Sequence, residues 1–119
     1  MNMVDEWIRE IRARVNPERL GMILVHNGIV RASSKAGKPV GGMMLSFDEE
    51  KLASSVKEFK KREGIEDIRV WINRGKLNVG DDIMYVLVAG RFRTDVMPVL
   101  QELLSIIKGE IVREEEVNP

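Results

Sequence analysis

A run of seven uncharged residues, Ile83 to Ala89, constrains the fold more than any other part of this 119-residue chain. A turn-forming cluster of Gly80, Asp81 and Asp82 precedes it, so the run predicts one long buried strand entered through a turn. Such a strand is stable only when both of its faces are covered, because neither face can be left in water. We therefore predict a central strand between two layers, with ligand-binding groups in the loop after it.

Periodicity elsewhere predicts three helices and four further strands. Apolar residues at spacings of three and four predict a helix over 4–15, a second between a cap at Asp48 and Gly64, and a third after Asp95. The remaining strands are predicted at 20–30, 40–47, 68–73 and 110–114, with a mobile polar loop at 32–39. The order α-β-β-α-β-β-α-β predicts an α+β fold, a two-layer sandwich of mixed sheet and helices, in a single domain spanning 1–119.

The composition excludes several classes of function. The chain has no cysteine, so a thiol nucleophile, a thiolate metal site and a disulfide framework are excluded. Nineteen basic and nineteen acidic residues cancel, which argues against a nucleic-acid partner. No stretch approaches the ~20 apolar residues of a membrane span, and the charged N-terminus does not resemble a signal peptide, so a cytoplasmic protein is expected. The single histidine, His26, is interpreted as structural, because no second histidine or cysteine could complete a metal site.

Cationic side chains at the ends of predicted elements are the candidates for a binding site. Arg31 follows the first strand, Arg91 and Arg93 follow the central strand, and Lys108 lies in the last turn of the third helix. Arginines at strand ends are more often salt-bridged on the surface, but their planar donor forks suit a phosphate if they converge. Lys108 likewise has a structural interpretation, since a cation at a helix C-terminus offsets the helix dipole. Nearby arginines would instead favour an amine that attacks a carbonyl or moves a proton.

Several short motifs occur together in an order that resembles a known family. They are Gly21-Met-Ile-Leu-Val-His-Asn-Gly28-Ile-Val-Arg31, Gly75-Lys-Leu-Asn-Val-Gly80-Asp-Asp, the Arg93 turn, Lys108, and Ile111-Val-Arg-Glu114. In order and spacing they resemble the large catalytic subunit of molybdopterin synthase over residues 21–115, with the helix at 4–15 preceding the similar region. The resemblance implies an α/β hammerhead-like fold and a sulfurtransferase of molybdenum cofactor biosynthesis.

The resemblance also implies a reaction, partners and a site. Sulfur would pass from the thiocarboxylated Gly-Gly C-terminus of a small ubiquitin-like subunit to cyclic pyranopterin monophosphate, without a cofactor. Arg31 and Arg93 would hold the phosphate, with Arg91 competing for that role, and Lys108 and Arg113 would be catalytic residues beside the incoming tail. The assembly implied is a homodimer carrying a small subunit at each end, a heterotetramer. The absence of cysteine agrees, because the sulfur arrives on the partner.

Departures from the family pattern leave a second function open. Phe92 stands where the family has a histidine, and Arg113 stands where it has a lysine and, as a guanidinium, cannot act as a base. The segment after Lys108 is also shorter than is usual in the family. These features favour a catalytically degenerate homologue that binds an anion or a protein tail as an oligomeric module. Arg31, Arg93 and Lys108, retained together, favour the enzyme.

Overall fold

The computed structural model describes residues 2–119, which form three α-helices and six β-strands. In chain order the elements are α1 (Met3–Arg14), β1 (Met22–Ile29), β2 (Gly42–Phe47), α2 (Glu49–Lys60), β3 (Ile65–Ile72), β4 (Gly75–Asn78), β5 (Asp82–Gly90), α3 (Arg93–Ile106), a π-helical segment (Ile107–Ile111) and β6 (Val112–Val117). Among these residues no helix is both long enough and apolar enough to cross a membrane.

The predicted α+β arrangement is confirmed, but its strands form two separate sheets rather than one mixed sheet. The first sheet has the order β1-β5-β3 and the second has the order β4-β2-β6. All the pairings between these strands are antiparallel. The strand β4 was not predicted, because it has only four residues and Leu77 is its only buried side chain. So short a segment carries too little alternation to be distinguished from the turn that follows it.

The predicted burial of β5 on both faces is confirmed. The strand lies between β1 and β3, and four consecutive residues from Val86 to Ala89 are fully buried. Val86 and Val88 belong to the larger core beneath α3, whereas Leu87 and Ala89 pack with Ile11 of α1 in a smaller cluster. Fully burying a large aliphatic side chain contributes about 1.5–3 kcal/mol, so this strand stabilises both layers.

Helix α2 begins where the sequence predicts, because Asp48 caps it. The Asp48 carboxylate accepts a hydrogen bond from the backbone N–H of Lys51 at 3.0 Å. Past the end of α2, Gly64 has a φ of +80°, a conformation that lets the chain reverse into β3. Local capping and turn chemistry therefore set both ends of this connection.

The antiparallel pairing of β1 with β5 decides which residues share an end of the first sheet. Ile29 at the end of β1 lies opposite Asp82 at the beginning of β5. Arg31 therefore emerges beside the beginning of β5, whereas Arg93 follows the opposite end of that strand. Helix α3 packs along β5 and returns the chain toward the beginning of that strand, where the π-helical segment starts.

Candidate active site

A cavity of about 480 Å³ lies where the end of β1, the beginning of β5, the π-helical segment and β6 meet. Arg31 and Lys108 both line it, although they are far apart in the sequence. Lys35 adds a third cation, and the carboxylates Glu114 and Glu116 form another wall. The remaining lining consists of two hydroxyl side chains and five apolar ones: Ser33, Ser34, Ile29, Val30, Val40, Met43 and Ile83. The cavity is therefore a charged rim over an apolar floor.

Arg31 keeps its charge available to a ligand. Its Nη2 donates to the Ser33 hydroxyl at 3.4 Å and to the Ser34 carbonyl at 3.3 Å, both neutral oxygens. The segment predicted as a mobile loop contains a hydrogen-bonded turn, in which the Ser34 N–H donates to the Lys38 carbonyl at 2.8 Å. This turn positions the guanidinium without neutralising it.

Lys108 lies in the π-helical segment rather than in the last turn of an α-helix. Helix α3 ends at Ile106, and the next five residues form the wider π turn, anchored by the buried side chains of Ile107 and Ile111. Within residues 2–119 Lys108 has no ion-pair partner. Single π turns occur frequently at functional sites, because they project a side chain out of the regular helical register.

The other two arginines that were predicted to bind phosphate lie away from this cavity. Arg93 is the first residue of α3, and this 14-residue helix spans about 21 Å, at 1.5 Å per residue, between Arg93 and the π-helical segment. Arg91 is bonded instead to Asp95, with Nε to Oδ2 at 3.2 Å, and its Nη2 lies 3.6 Å from Glu63. One protomer therefore brings together Arg31 and Lys108 but neither Arg91 nor Arg93.

Arg113 lies on the opposite face of the second sheet from Lys108. In the pairing of β6 with β2, Arg113 is opposite Ser46, whereas Glu114 is opposite the buried Leu45. Arg113 lines a separate small cavity of about 190 Å³ with Glu115 and three β2 residues. The residues that the sequence reasoning missed are thus Glu114, Glu116 and Lys35. Strand alternation in Arg-Glu-Glu-Glu could have identified the two glutamates.

The single histidine lies close enough to Lys108 to be affected by its charge. Burial and, secondly, the positive charge of Lys108 lower the pKa of His26, so its neutral form predominates at neutral pH. Its Nε2 is buried and has no hydrogen-bond partner in the described part of the chain. No group of side chains that could hold a metal ion is found among residues 2–119.

Two larger cavities are less suited to an anion. One of about 730 Å³ lies between α2 and β3 and is lined mainly by apolar side chains. Two of its cations are already paired, Lys60 with Asp67 at 3.3 Å and Arg74 with Glu49 at 2.7 Å. The other, of about 520 Å³, lies between α1 and β1 and has Arg12 as its one cation among the described lining residues. The Arg31 and Lys108 cavity is therefore the candidate site.

Fold and site together define an α+β protein with a cationic cavity at the junction of its two sheets. The sequence matches the model of the MoaE protein family over residues 4–110, and the chain belongs to that family. It is also similar to an uncharacterized protein of Methanocaldococcus jannaschii, with 28% identity over 109 residues that cover 88% of this chain and 87% of the relative. The family that the sequence motifs indicated is thereby confirmed.

Solved structures share the fold. A molybdopterin synthase from Staphylococcus aureus has a TM-score of 0.78 at 22% identity, covering 100% of this chain and 86% of that one. A molybdopterin biosynthesis MoaE protein from Burkholderia ambifaria has a TM-score of 0.75 at 23% identity, covering 98% and 82%. A complex of subunits 1 and 2 of the molybdopterin-converting factor from Helicobacter pylori has a TM-score of 0.75 at 15% identity, covering 96% and 75%. At these identities the likenesses show a shared fold, and it is membership of the MoaE family that supports a role in molybdopterin biosynthesis.

Proposed function

We propose that this protein is the catalytic large subunit of a molybdopterin synthase. It transfers sulfur from the thiocarboxylated C-terminus of a small ubiquitin-like subunit to cyclic pyranopterin monophosphate. The observation that carries the proposal is the shared cavity of Arg31 and Lys108 in a member of the MoaE family. The two-subunit complex from Helicobacter pylori supports a small-subunit partner.

The chemistry assigned to the cavity follows from its two principal cations. Arg31 presents a planar donor fork with neutral partners only, which suits the substrate phosphate. Lys108, with no carboxylate partner among the described residues, offsets the negative charge of the incoming thiocarboxylate and can donate a proton as the reaction proceeds. Val30 and Ile83 on the apolar floor exclude water from the reacting groups. Arg113 faces away from this cavity, so we assign the chemistry to Lys108.

The assay of this function mixes the protein with a thiocarboxylated Gly-Gly partner and the pyranopterin substrate, and measures the dithiolene product. We expect turnover by the wild type and a loss of about 100-fold or more in Lys108→Ala, the size of an acid–base contribution. Lys57→Ala is the matched control, because Lys57 is an exposed lysine of α2 that lines a different cavity. A wild-type protein that binds the Gly-Gly partner and the pyranopterin substrate without turning them over would contradict the proposed enzymatic activity. It would favour a non-catalytic binding module.

Phosphate binding by Arg31 is tested by calorimetry. We expect Arg31→Ala to weaken the binding of phosphate-bearing substrate by about 2 kcal/mol, which is roughly 30-fold, because it removes hydrogen bonds to a charged group. Arg19→Ala is the control, since Arg19 is an exposed arginine that lies 3.9 Å from Glu66 and outside the cavity. If the Arg31 variant and the wild type bind the substrate with equal affinity, the assignment of Arg31 to phosphate binding is wrong.

Arg93 retains a role at the phosphate only if two protomers share the site, because one protomer holds it at the far end of α3. The proposal therefore includes a homodimer, with Arg91 less suited than Arg93 because its guanidinium is already bonded to Asp95. Mixing Arg93→Ala with Lys108→Ala tests the sharing, with each variant also assayed alone so that its own residual activity is subtracted. Random exchange in a symmetric dimer is expected to restore roughly a quarter of the wild-type activity, since half the dimers regain one intact site. No recovery after exchange would contradict a shared site.

A further inference from the structure

The candidate cavity carries opposite charges on separate walls. Arg31 and Lys35 come from the connection between β1 and β2, and Lys108 comes from the π-helical segment. The carboxylates of Glu114 and Glu116 come from β6. None of these five side chains forms an ion pair with a residue of the described chain, so both the cations and the carboxylates remain available to a ligand.

The register of the second sheet aims the two carboxylates into the cavity. Glu114 is opposite Leu45 and Glu116 is opposite Met43, and both β2 partners are buried in the core. Glu115 is opposite Met44, which is 44% exposed on the other face. Side chains two residues apart on a strand lie on one face about 7 Å from each other, so Glu114 and Glu116 flank the same ligand-sized space.

The far end of this wall is held in place by the backbone. The Gly41 N–H donates to the Val117 carbonyl at 2.7 Å, which joins the last residue of β6 to the segment before β2. The side chains of Glu114 and Glu116 therefore project from a paired strand and not from a free terminus. A rigid strand positions recognition groups more accurately than a loop does.

The charge pattern selects a class of ligand. One end must be anionic, to meet Arg31 and Lys108, and the other must offer N–H donors, because ionised carboxylates only accept hydrogen bonds. A pterin ring has such an edge, where its 2-amino group and adjacent ring N–H point the same way and match a carboxylate in a paired geometry. We propose that Glu114 and Glu116 recognise this amino edge of the substrate pterin while the cations bind its phosphate. This inference rests on the proposed function, and it assigns to Glu114 and Glu116 the recognition of the substrate's pterin ring.

A purely structural role for the acidic strand makes a different prediction. Charged residues on an edge strand such as β6 prevent its pairing with other chains, and all three glutamates would serve that purpose equally. Recognition of a ring requires only the two that face the cavity. Glu115 is therefore a matched control, with the same side chain in the same strand on the opposite face.

The experiment titrates the protein with a phosphorylated pterin and with the corresponding lumazine, in which an oxo group replaces the 2-amino group. We expect the wild type to bind the pterin at least about 10-fold more tightly than the lumazine, the effect of one hydrogen bond to a charged group. The double variant Glu114→Gln with Glu116→Gln is expected to lose most of this preference, and Glu115→Gln is expected to keep it. Arg31→Ala should weaken the binding of both compounds by the same factor and leave the ratio of their affinities unchanged.

Each of the other possible results of this titration contradicts one particular part of the proposal. Equal binding of the two compounds by the wild type overturns the amino-edge recognition but leaves the phosphate site, and with it the proposed function, intact. A preference that survives in the double variant, or is lost equally in Glu115→Gln, overturns the assignment to the cavity-facing carboxylates. Failure of the wild type to bind either phosphorylated compound overturns the proposed substrate class itself.

Discussion

Asp67 is the only charged residue that is buried among residues 2–119, and its substitution tests how the layers are held together. Its carboxylate accepts hydrogen bonds from Arg14 of α1 at 2.9 Å and from Arg69 at 3.0 Å, and it lies 3.3 Å from the ammonium of Lys60 on α2. It also accepts the backbone N–H of Ile68 at 2.8 Å. One buried group therefore joins β3 to helices of both layers.

The magnitude of the effect follows from which partners are buried. Removing one partner of a buried ion pair costs about 3–5 kcal/mol when the remaining charge cannot reach water. The cations here are more accessible, with side-chain exposures of 61% for Arg14, 46% for Lys60 and 24% for Arg69. They can rehydrate, so Asp67→Asn, which keeps the shape and removes the charge, is expected to reduce the free energy of unfolding by about 2 kcal/mol.

The same residue predicts a dependence on pH. Burial alone would raise the pKa of Asp67, but the Arg69 hydrogen bond and the nearby Lys60 outweigh it and hold the pKa below its ordinary 3.8. A carboxyl whose pKa is lower in the folded state stabilises the fold above the unfolded value, and this contribution is lost as the pH falls through the folded value. The stability difference between wild type and Asp67→Asn should therefore shrink at a pH well below 3.8.

The assay is equilibrium unfolding in urea at fixed protein concentration, followed by the fluorescence of Trp7 and Trp71, at neutral and at strongly acid pH. Glu58→Gln is the control, because Glu58 forms an exposed pair with Lys61 at 3.0 Å, and pairs of this kind contribute less than about 0.5 kcal/mol on a helix. A stabilising role for the buried Asp67 carboxylate is refuted if Asp67→Asn costs no more than Glu58→Gln at neutral pH, or if the difference from wild type is undiminished in acid.

Two further predictions concern stability. His26→Leu should stabilise the fold by about 1 kcal/mol at neutral pH, because it removes a buried nitrogen without a partner in the described chain. Since the pKa of His26 is lowered in the folded state, protonation of this side chain favours the unfolded chain, so the wild type should lose stability as the pH falls below 6.5 and His26→Leu should lack this loss. Melting curves with equal pH dependence would contradict this. Gly90→Ala should cost about 1–3 kcal/mol, because a Cβ there would lie 2.3 Å from the Gly64 carbonyl oxygen. Gly109→Ala is the control, because a Cβ at this position would have no other atom within 4 Å. Equal thermal shifts for the two variants would refute the steric explanation.

Local signals in the sequence were sufficient to predict most of the helices and strands. The uncharged run predicted β5, the Asp48 cap predicted the start of α2, and apolar spacing predicted α1, because each depends on residues close together in the chain. The motifs around Arg31 and Lys108 likewise indicated the family. The four-residue strand β4 was missed, because its pairing with β2 and not its own pattern makes it a strand.

The site depended on information that no local pattern contains. Arg31 and Arg93 each follow a strand, but β1 and β5 run antiparallel, so the two residues leave opposite ends of the sheet. Arg113 follows Lys108 closely in the chain, yet the register of β6 against β2 directs it to the other face and turns Glu114 inward. The sequence by itself thus determined the elements, the core strand and the candidate cations. Only the tertiary structure decided which of them meet, because strand direction and register arise from pairing between segments distant along the chain.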